Sequence, residues 1–121
     1  MPLAPAILVY EKRPRWEAEL KRSLVGKRTL VRPCRSVADL LALCRAMPGS
    51  VAVIDIEVGG GTVLHALDQA QRERLALFPI VIAPDYADDL EWPLRELGIV
   101  ALLPDRAPCG ELSRACRRWL P

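Results

Sequence analysis

Few residues in this sequence have the types and spacing that chemistry needs. Four cysteines, Cys34, Cys44, Cys109 and Cys116, form no CxxC pair, and His65 is the single histidine. A zinc site would have to draw its ligands from distant segments, so buried or half-buried reduced thiols are expected, with Cys44 and Cys116 on apolar helix faces. A Cys–His nucleophile would need Cys34 or Cys109 to reach His65 from elsewhere in the chain. No triad is drawn, and His65 is expected as a partly exposed helix residue. Gly59-Gly60-Gly61, ahead of Thr62, could turn backbone N–H groups toward an anion, but it lacks both the lysine of a GxxxxGK[ST] loop and GxGxxG spacing. A tight, mobile loop is the favoured reading and an anion site the alternative. Arg114, Arg117 and Arg118 flank the apolar stripe of the last helix. Without interleaved aromatics or a helix-turn-helix pattern they favour protein docking or solubility over nucleic acid.

The elements that must position these residues alternate in type. Unbroken apolar runs, bounded by turn residues, occur at Ala6 to Tyr10, Thr29 to Val31, Val51 to Ile56, Pro79 to Ile82 and Ile99 to Leu103. Strands apolar on both sides belong to a parallel sheet covered on both faces. Between them the period becomes helical: Trp16, Leu20 and Leu24 after Pro14; Val37, Leu40, Leu41, Cys44 and Met47; Leu64, Leu67 and Leu75 after Thr62; Leu90, Leu94 and Leu97 before Gly98; Leu112, Ala115, Cys116, Trp119 and Leu120. Pro14 suits a first turn. Ser36 with Asp39 three residues on is a variant capping box, closed by Pro48-Gly49. Pro93 confines the fourth helix to a start near Asp89.

Five strands alternating with five helices imply right-handed crossovers and a doubly wound α/β sheet, here assigned the flavodoxin-like (βα)5 order 2-1-3-4-5. In such sheets, ligands and chemistry gather beyond the carboxyl ends of the strands. Glu11, Lys12, Asp55, Glu57, Ala83, Pro84, Pro104 and Asp105 fall at those ends.

A chain of 121 residues, 51% hydrophobic and 26% charged, suits a single domain spanning 1–121 with a substantial core and excludes disorder as the default. Net charge is +2, yet residues 1–49 hold ten Lys/Arg against four Asp/Glu, residues 50–105 three against ten, and residues 106–121 four against one. Such a pattern could steer a charged partner to one side, with a plain solvated surface as the alternative. No stretch approaches the ~18 apolar residues of a membrane span, and Ala6 to Tyr10 is too short for a signal peptide. A cytoplasmic address with no membrane partner is therefore expected.

The segment Ile7-Leu8-Val9-Tyr10-Glu11-Lys12-Arg13-Pro14 resembles the first strand of bacterial response-regulator receiver domains, where an aliphatic run ends in two acids. Val51 to Ile56, reading VAVIDI, is similar to the third strand, which ends in the aspartate that accepts a phosphoryl group. Pro79-Ile80-Val81-Ile82, followed by Asp88-Asp89, a helix and Gly98, resembles the fourth unit. The resemblance spans about residues 6 to 120 and puts Asp55 at the phosphoacceptor position and Glu11 at the first acidic position. Glu57 falls where the family offers a backbone carbonyl to Mg²⁺. Phosphoryl transfer to a carboxylate needs such a cation, held by oxygen ligands. Here Lys12 fills the second acidic position, opposes a cation, and can pair with Asp55. The strand-4 hydroxyl falls on Ala83 or Pro84, the coupled aromatic on Leu102, and the strand-5 lysine on Asp105, or on Leu103 if Pro104 is matched to the family's proline. None can do the family's work.

These departures imply a degenerate receiver, or pseudo-receiver: not an enzyme, needing no cofactor, and acting by protein–protein interaction with Lys12 standing in for the metal. The alternative is a phosphoacceptor receiver of a two-component phosphorelay that uses Asp55 with Mg²⁺ held by Glu11 and Glu57. A strand-end aspartate that pairs with Lys12 or caps a loop is the plainest role for Asp55. By resemblance, the fourth helix, fifth strand and fifth helix form the docking and dimer face, which puts Trp92 with Arg114, Arg117 and Arg118. A histidine kinase or an effector is the expected partner, with a homodimer also open. A chain cut from a larger regulator or kinase is a further alternative.

Overall fold

The computed structural model describes residues 3–107 and 110–120, leaving out the side chains of 86–88. Strands β1 (Ile7–Tyr10), β2 (Val31–Cys34), β3 (Ser50–Asp55), β4 (Leu77–Ala83) and β5 (Ala101–Pro104) form one parallel sheet of order β2-β1-β3-β4-β5. Helices α1 (Trp16–Ser23), α2 (Val37–Ala46), α3 (Gly60–Arg72), α4 (Glu91–Glu96) and α5 (Glu111–Trp119) complete the alternation, with 3₁₀ turns at Ile56–Val58 and Asp85–Leu90. This is the expected flavodoxin-like arrangement.

Alternate side chains of each central strand feed two cores, which is why the strands read as unbroken apolar runs. Ile7, Val9, Val51, Val53, Ile80 and Ile82 meet Trp16, Leu20 and Leu24 of the α1 segment and Leu112 and Cys116 of α5. Leu8, Tyr10, Ala52, Ile54 and Val81 meet Leu40 and Cys44 of α2, Val63, Ala66 and Leu67 of α3, and Leu94 of α4. Ser50, wholly buried at the start of β3, accepts from the Ala6 N–H at 2.9 Å and donates to the Met47 carbonyl at 2.6 Å.

Several boundaries differ from expectation. The second strand begins at Val31, the last residue of the expected run, and continues through Pro33, because β2 lies at the sheet edge, where a missing N–H is tolerated. The fifth runs Ala101–Pro104 rather than Ile99 to Leu103. Pro14 precedes α1 instead of sitting in its first turn, since the helix N–H groups are met from upstream by a side chain. Gly60 and Gly61 are helical from the start of α3, so the glycine triplet is not a free loop. Gly59 alone needs to be glycine: its φ is +121°, and a Cβ there would lie 3.1 Å from the Thr62 hydroxyl. Ser36 accepts from the Asp39 N–H at 3.0 Å while Asp39 accepts from the Arg35 N–H at 3.0 Å, a capping box displaced by one residue. Among the described residues, no helix is long and apolar enough to cross a membrane.

Candidate functional site

Asp55 ends β3, and the chain leaves the sheet there through a 3₁₀ turn. One carboxylate oxygen, Oδ1, accepts from the Glu57 backbone N–H at 2.9 Å and so caps the turn. The other, Oδ2, accepts from the indole Nε1–H of Trp16 at 2.7 Å. Trp16 is 2% exposed and packs with Leu20 and Leu24 against the sheet. One ring thus supplies apolar contact and a hydrogen-bond donor, as buried tryptophans do. Sequence periodicity found the first role and missed the second.

Glu11 follows β1 and turns into the start of α1. Its Oε1 accepts from the N–H groups of Arg15 and Trp16, both at 2.9 Å, and its Oε2 from Glu17 N–H at 3.1 Å. These are the orphan donors of a helix N-terminus, where negative charge is favourable. The carboxylate holds the start of the helix.

The expected Lys12–Asp55 pair is absent. Lys12 is exposed and, among the described residues, makes no ion pair. It lines a shallow surface with Tyr10, Glu11, Arg35, Glu57 and Val58 instead. The physical reason is that both Asp55 oxygens already have donors and the chain beyond Tyr10 carries Lys12 outward. The cation that enters the site is Arg13, whose guanidinium grips both oxygens of Glu57, with Nε to Oε1 at 2.9 Å. That hydrogen bond, followed by the charge of Arg13 and then of Lys12, holds the Glu57 carboxyl below its ordinary range, and Glu57 raises Arg13 in turn.

A cleft of about 390 Å³ opens here, lined by Arg13, Arg15, Asp55, Ile56, Glu57, Gly60, Pro84, Leu90 and Asp105. Arg15 lies 3.9 Å over the Trp16 ring and donates to the Asp105 carbonyl at 2.6 Å. Arg13 and Arg15, absent from the sequence-derived candidates, are therefore the guanidinium groups of the site. The only signal was their spacing around Pro14 and Trp16, which does not say where they point. Ala83 is buried at the end of β4 and Pro84 lines the cleft, so neither brings a side-chain donor. Leu102 is half-buried against the α2/α3/α4 core, and Asp105 stands where β5 ends.

The donor set does not suit a divalent cation. Glu11 is committed to three amides, Glu57 to Arg13, and Asp55 to two donors. Among the described residues, no three His, Cys, Asp or Glu side chains gather to hold a metal. His65 is exposed on α3. Cys34, Cys44 and Cys116 are buried, and burial pushes their thiols up to about 12, 11 and 12. Cys109 lies outside the described residues. Trp92 is 59% exposed on α4, and Arg114, Arg117 and Arg118 are exposed on α5. The two helices cover opposite faces of the sheet, with β5 at the edge between them.

The sequence matches no protein-family model and no curated protein. Solved structures match over nearly the whole chain. A response regulator from Thermotoga maritima superposes with a TM-score of 0.80 at 14% identity, covering 98% of each chain. A CheY-like response regulator receiver domain protein from Methanospirillum hungatei gives 0.76 at 13% identity, over 96% of this chain and 94% of that one. An adenylate cyclase from Rhodopirellula baltica gives 0.77 at 16% identity, over 98% and 88%. With the strand order and the position of Asp55 at the end of β3, these likenesses give the chain the fold of response-regulator receiver domains.

Proposed function

We propose that the chain is a degenerate receiver-fold module that signals by binding another protein, without a phosphorylation switch, a cofactor or catalysis of its own. The observation that carries this reading is the hydrogen bond from buried Trp16 to Asp55. It gives the carboxylate at the phosphoacceptor position a structural partner. A charge-assisted hydrogen bond contributes about 1.5–3 kcal/mol, and modification of that oxygen would have to break it. The capping role of Glu11 and the Arg13–Glu57 pair support the same reading, because each occupies a carboxylate that a metal-dependent transfer needs; Lys12, turned outward, does not stand in for the metal and lends no support.

The partner is a histidine kinase or an effector, or a second copy of the chain, met on the α4–β5–α5 side. Trp92 is the anchor proposed there, since exposed tryptophan and arginine are the side chains that most often dominate interfaces. Trp92→Ala is expected to weaken self-association or pull-down while leaving the unfolding transition in place. An unchanged interaction profile speaks against that face.

One observation favours the second reading, a phosphoacceptor in a phosphorelay. Asp55 borders an open cleft into which Arg13 and Arg15 bring positive charge. Titration with acetyl phosphate or beryllofluoride, with and without Mg²⁺, separates the two. The proposed reading expects no saturable change at Asp55 by mass or by amide shifts, and Mg²⁺-dependent modification of Asp55 would falsify it.

A further inference from the structure

The end of the molecule opposite Asp55 has a composition that the receiver-like pocket does not explain. In a doubly wound parallel fold every helix returns toward the amino ends of the strands, so all the helix C-termini collect there. Cations in the last helical turns complement the helix dipoles, and Lys21, Arg22, Arg117 and Arg118 have that ordinary explanation. The α1–β2 connection does not. Residues 21–32 contain five Lys/Arg and no Asp/Glu, all five exposed, and three of them, Lys27, Arg28 and Arg32, lie beyond the end of α1. Among the described residues Lys21 pairs with Glu17 at 3.3 Å, whereas Arg22, Lys27, Arg28 and Arg32 make no ion pair. Trp119 stacks on Phe78 at 5.3 Å between centroids, which brings the end of α5, with Arg117 and Arg118, to the same end of the sheet.

Apolar side chains stand among these cations. Val25 is 79% exposed and Leu30 51%, flanking Lys27 and Arg28, and Leu3 is 57% exposed at the same end. The acids at this end, Glu73 and Glu96, lie at the ends of α3 and α4, and Glu73 is paired with Arg45 at 2.8 Å.

We propose that the α1–β2 connection is a peripheral docking surface for anionic lipid headgroups. A bilayer surface offers anions and hydrocarbon together, which is what a basic loop with aliphatic tips would use. A nucleic acid offers phosphates but gives Val25 and Leu30 nothing to bury against. Strand addition by a peptide is blunted, because Pro33 removes an N–H from the edge strand. Peripheral contact of this kind requires no spanning helix, and it uses a surface distinct from the Asp55 cleft and from Trp92.

The test is co-sedimentation of the full chain with vesicles of phosphatidylcholine alone and of phosphatidylcholine with phosphatidylserine, alongside binding to double-stranded DNA and to poly-glutamate. Binding is expected only with phosphatidylserine. Lys27→Gln with Arg28→Gln is expected to weaken it roughly 30-fold, the equivalent of about 1 kcal/mol per cation. Val25→Ser is expected to weaken it several-fold without altering any residual binding to DNA or poly-glutamate. The substituted side chains are exposed, and circular dichroism verifies the fold of each variant. Failure to sediment with phosphatidylserine, equally tight binding to either of the other polyanions, or vesicle binding indifferent to Val25→Ser would each overturn the assignment.

Discussion

Replacing Asp55 with alanine removes the acceptor of two donors at once, and the sign of the stability change is the informative quantity. The indole N–H of Trp16 is bonded at 2.7 Å on a side chain 2% exposed, and loses the acceptor it has among the described residues. A hydrogen bond to a charged group contributes about 1.5–3 kcal/mol. The cap on the Ile56–Val58 turn is lost as well, at about 1 kcal/mol. Together Asp55→Ala should destabilise the fold by about 3 kcal/mol, with the melting temperature falling by roughly 4 °C per kcal/mol at this chain length. A carboxylate crowded by other unneutralised acids behaves oppositely, because its removal relieves like-charge repulsion. Urea denaturation of the wild type, Asp55→Ala, Trp16→Phe and the double variant closes a double-mutant cycle. The expected coupling between the two side chains is about 2 kcal/mol. Stabilisation by Asp55→Ala, or a coupling indistinguishable from zero, refutes a structural bond between Asp55 and Trp16.

Other outcomes follow from the same geometry. The Glu57 carboxyl is held below its ordinary value of 4.5 by the hydrogen bond from Arg13. The stability linked to that depression is present above the unfolded value and disappears as pH falls through the folded one. Arg13→Gln should therefore bring Glu57 back toward 4.5 in an NMR titration of its side chain and remove that acid-side loss. Ser36→Ala deletes the N-cap of α2 and should cost about 1 kcal/mol in chemical denaturation, whereas Ser36→Asp should retain most of the stability. Cys34, Cys44 and Cys116, buried and with thiols pushed to about 12, 11 and 12, should react with a disulfide reagent at neutral pH only as the chain unfolds. Rapid labelling of any of them in the native protein contradicts their burial.

The parallel sheet and its two covering layers were legible because each central strand buries both sides, and a strand with no solvent face cannot alternate. Order 2-1-3-4-5 was assigned to the alternation as the flavodoxin-like choice, and the strand pairing agrees with it. Edge positions were less legible. Arg32 and Pro33 are exposed in β2, so that strand carries apolar residues only at its ends and its apolar signal stops early. The short α4 was bounded correctly in kind by Pro93, but the 3₁₀ turn at Asp85–Leu90 takes up the start expected near Asp89. At the site, Asp55 was visible as the polar residue ending an apolar run.

By itself the sequence determined the alternation of five strands with five helices and the place of the central strands, that helices would cover both faces of the sheet, and that the acid at the end of the third strand would stand at its carboxyl edge. Only the tertiary structure decided the partners of that acid. Trp16 and Asp55 are 39 residues apart, and the periodicity that assigns Trp16 to the core does not say that its N–H reaches the edge. Lys12 and Arg13 are adjacent and equally charged, and the path of the chain after Tyr10 sends one to solvent and the other onto Glu57. Local patterning fixes which residues a strand or helix buries, because burial follows period. Which of two neighbouring side chains finds a given oxygen depends on directions set by distant segments.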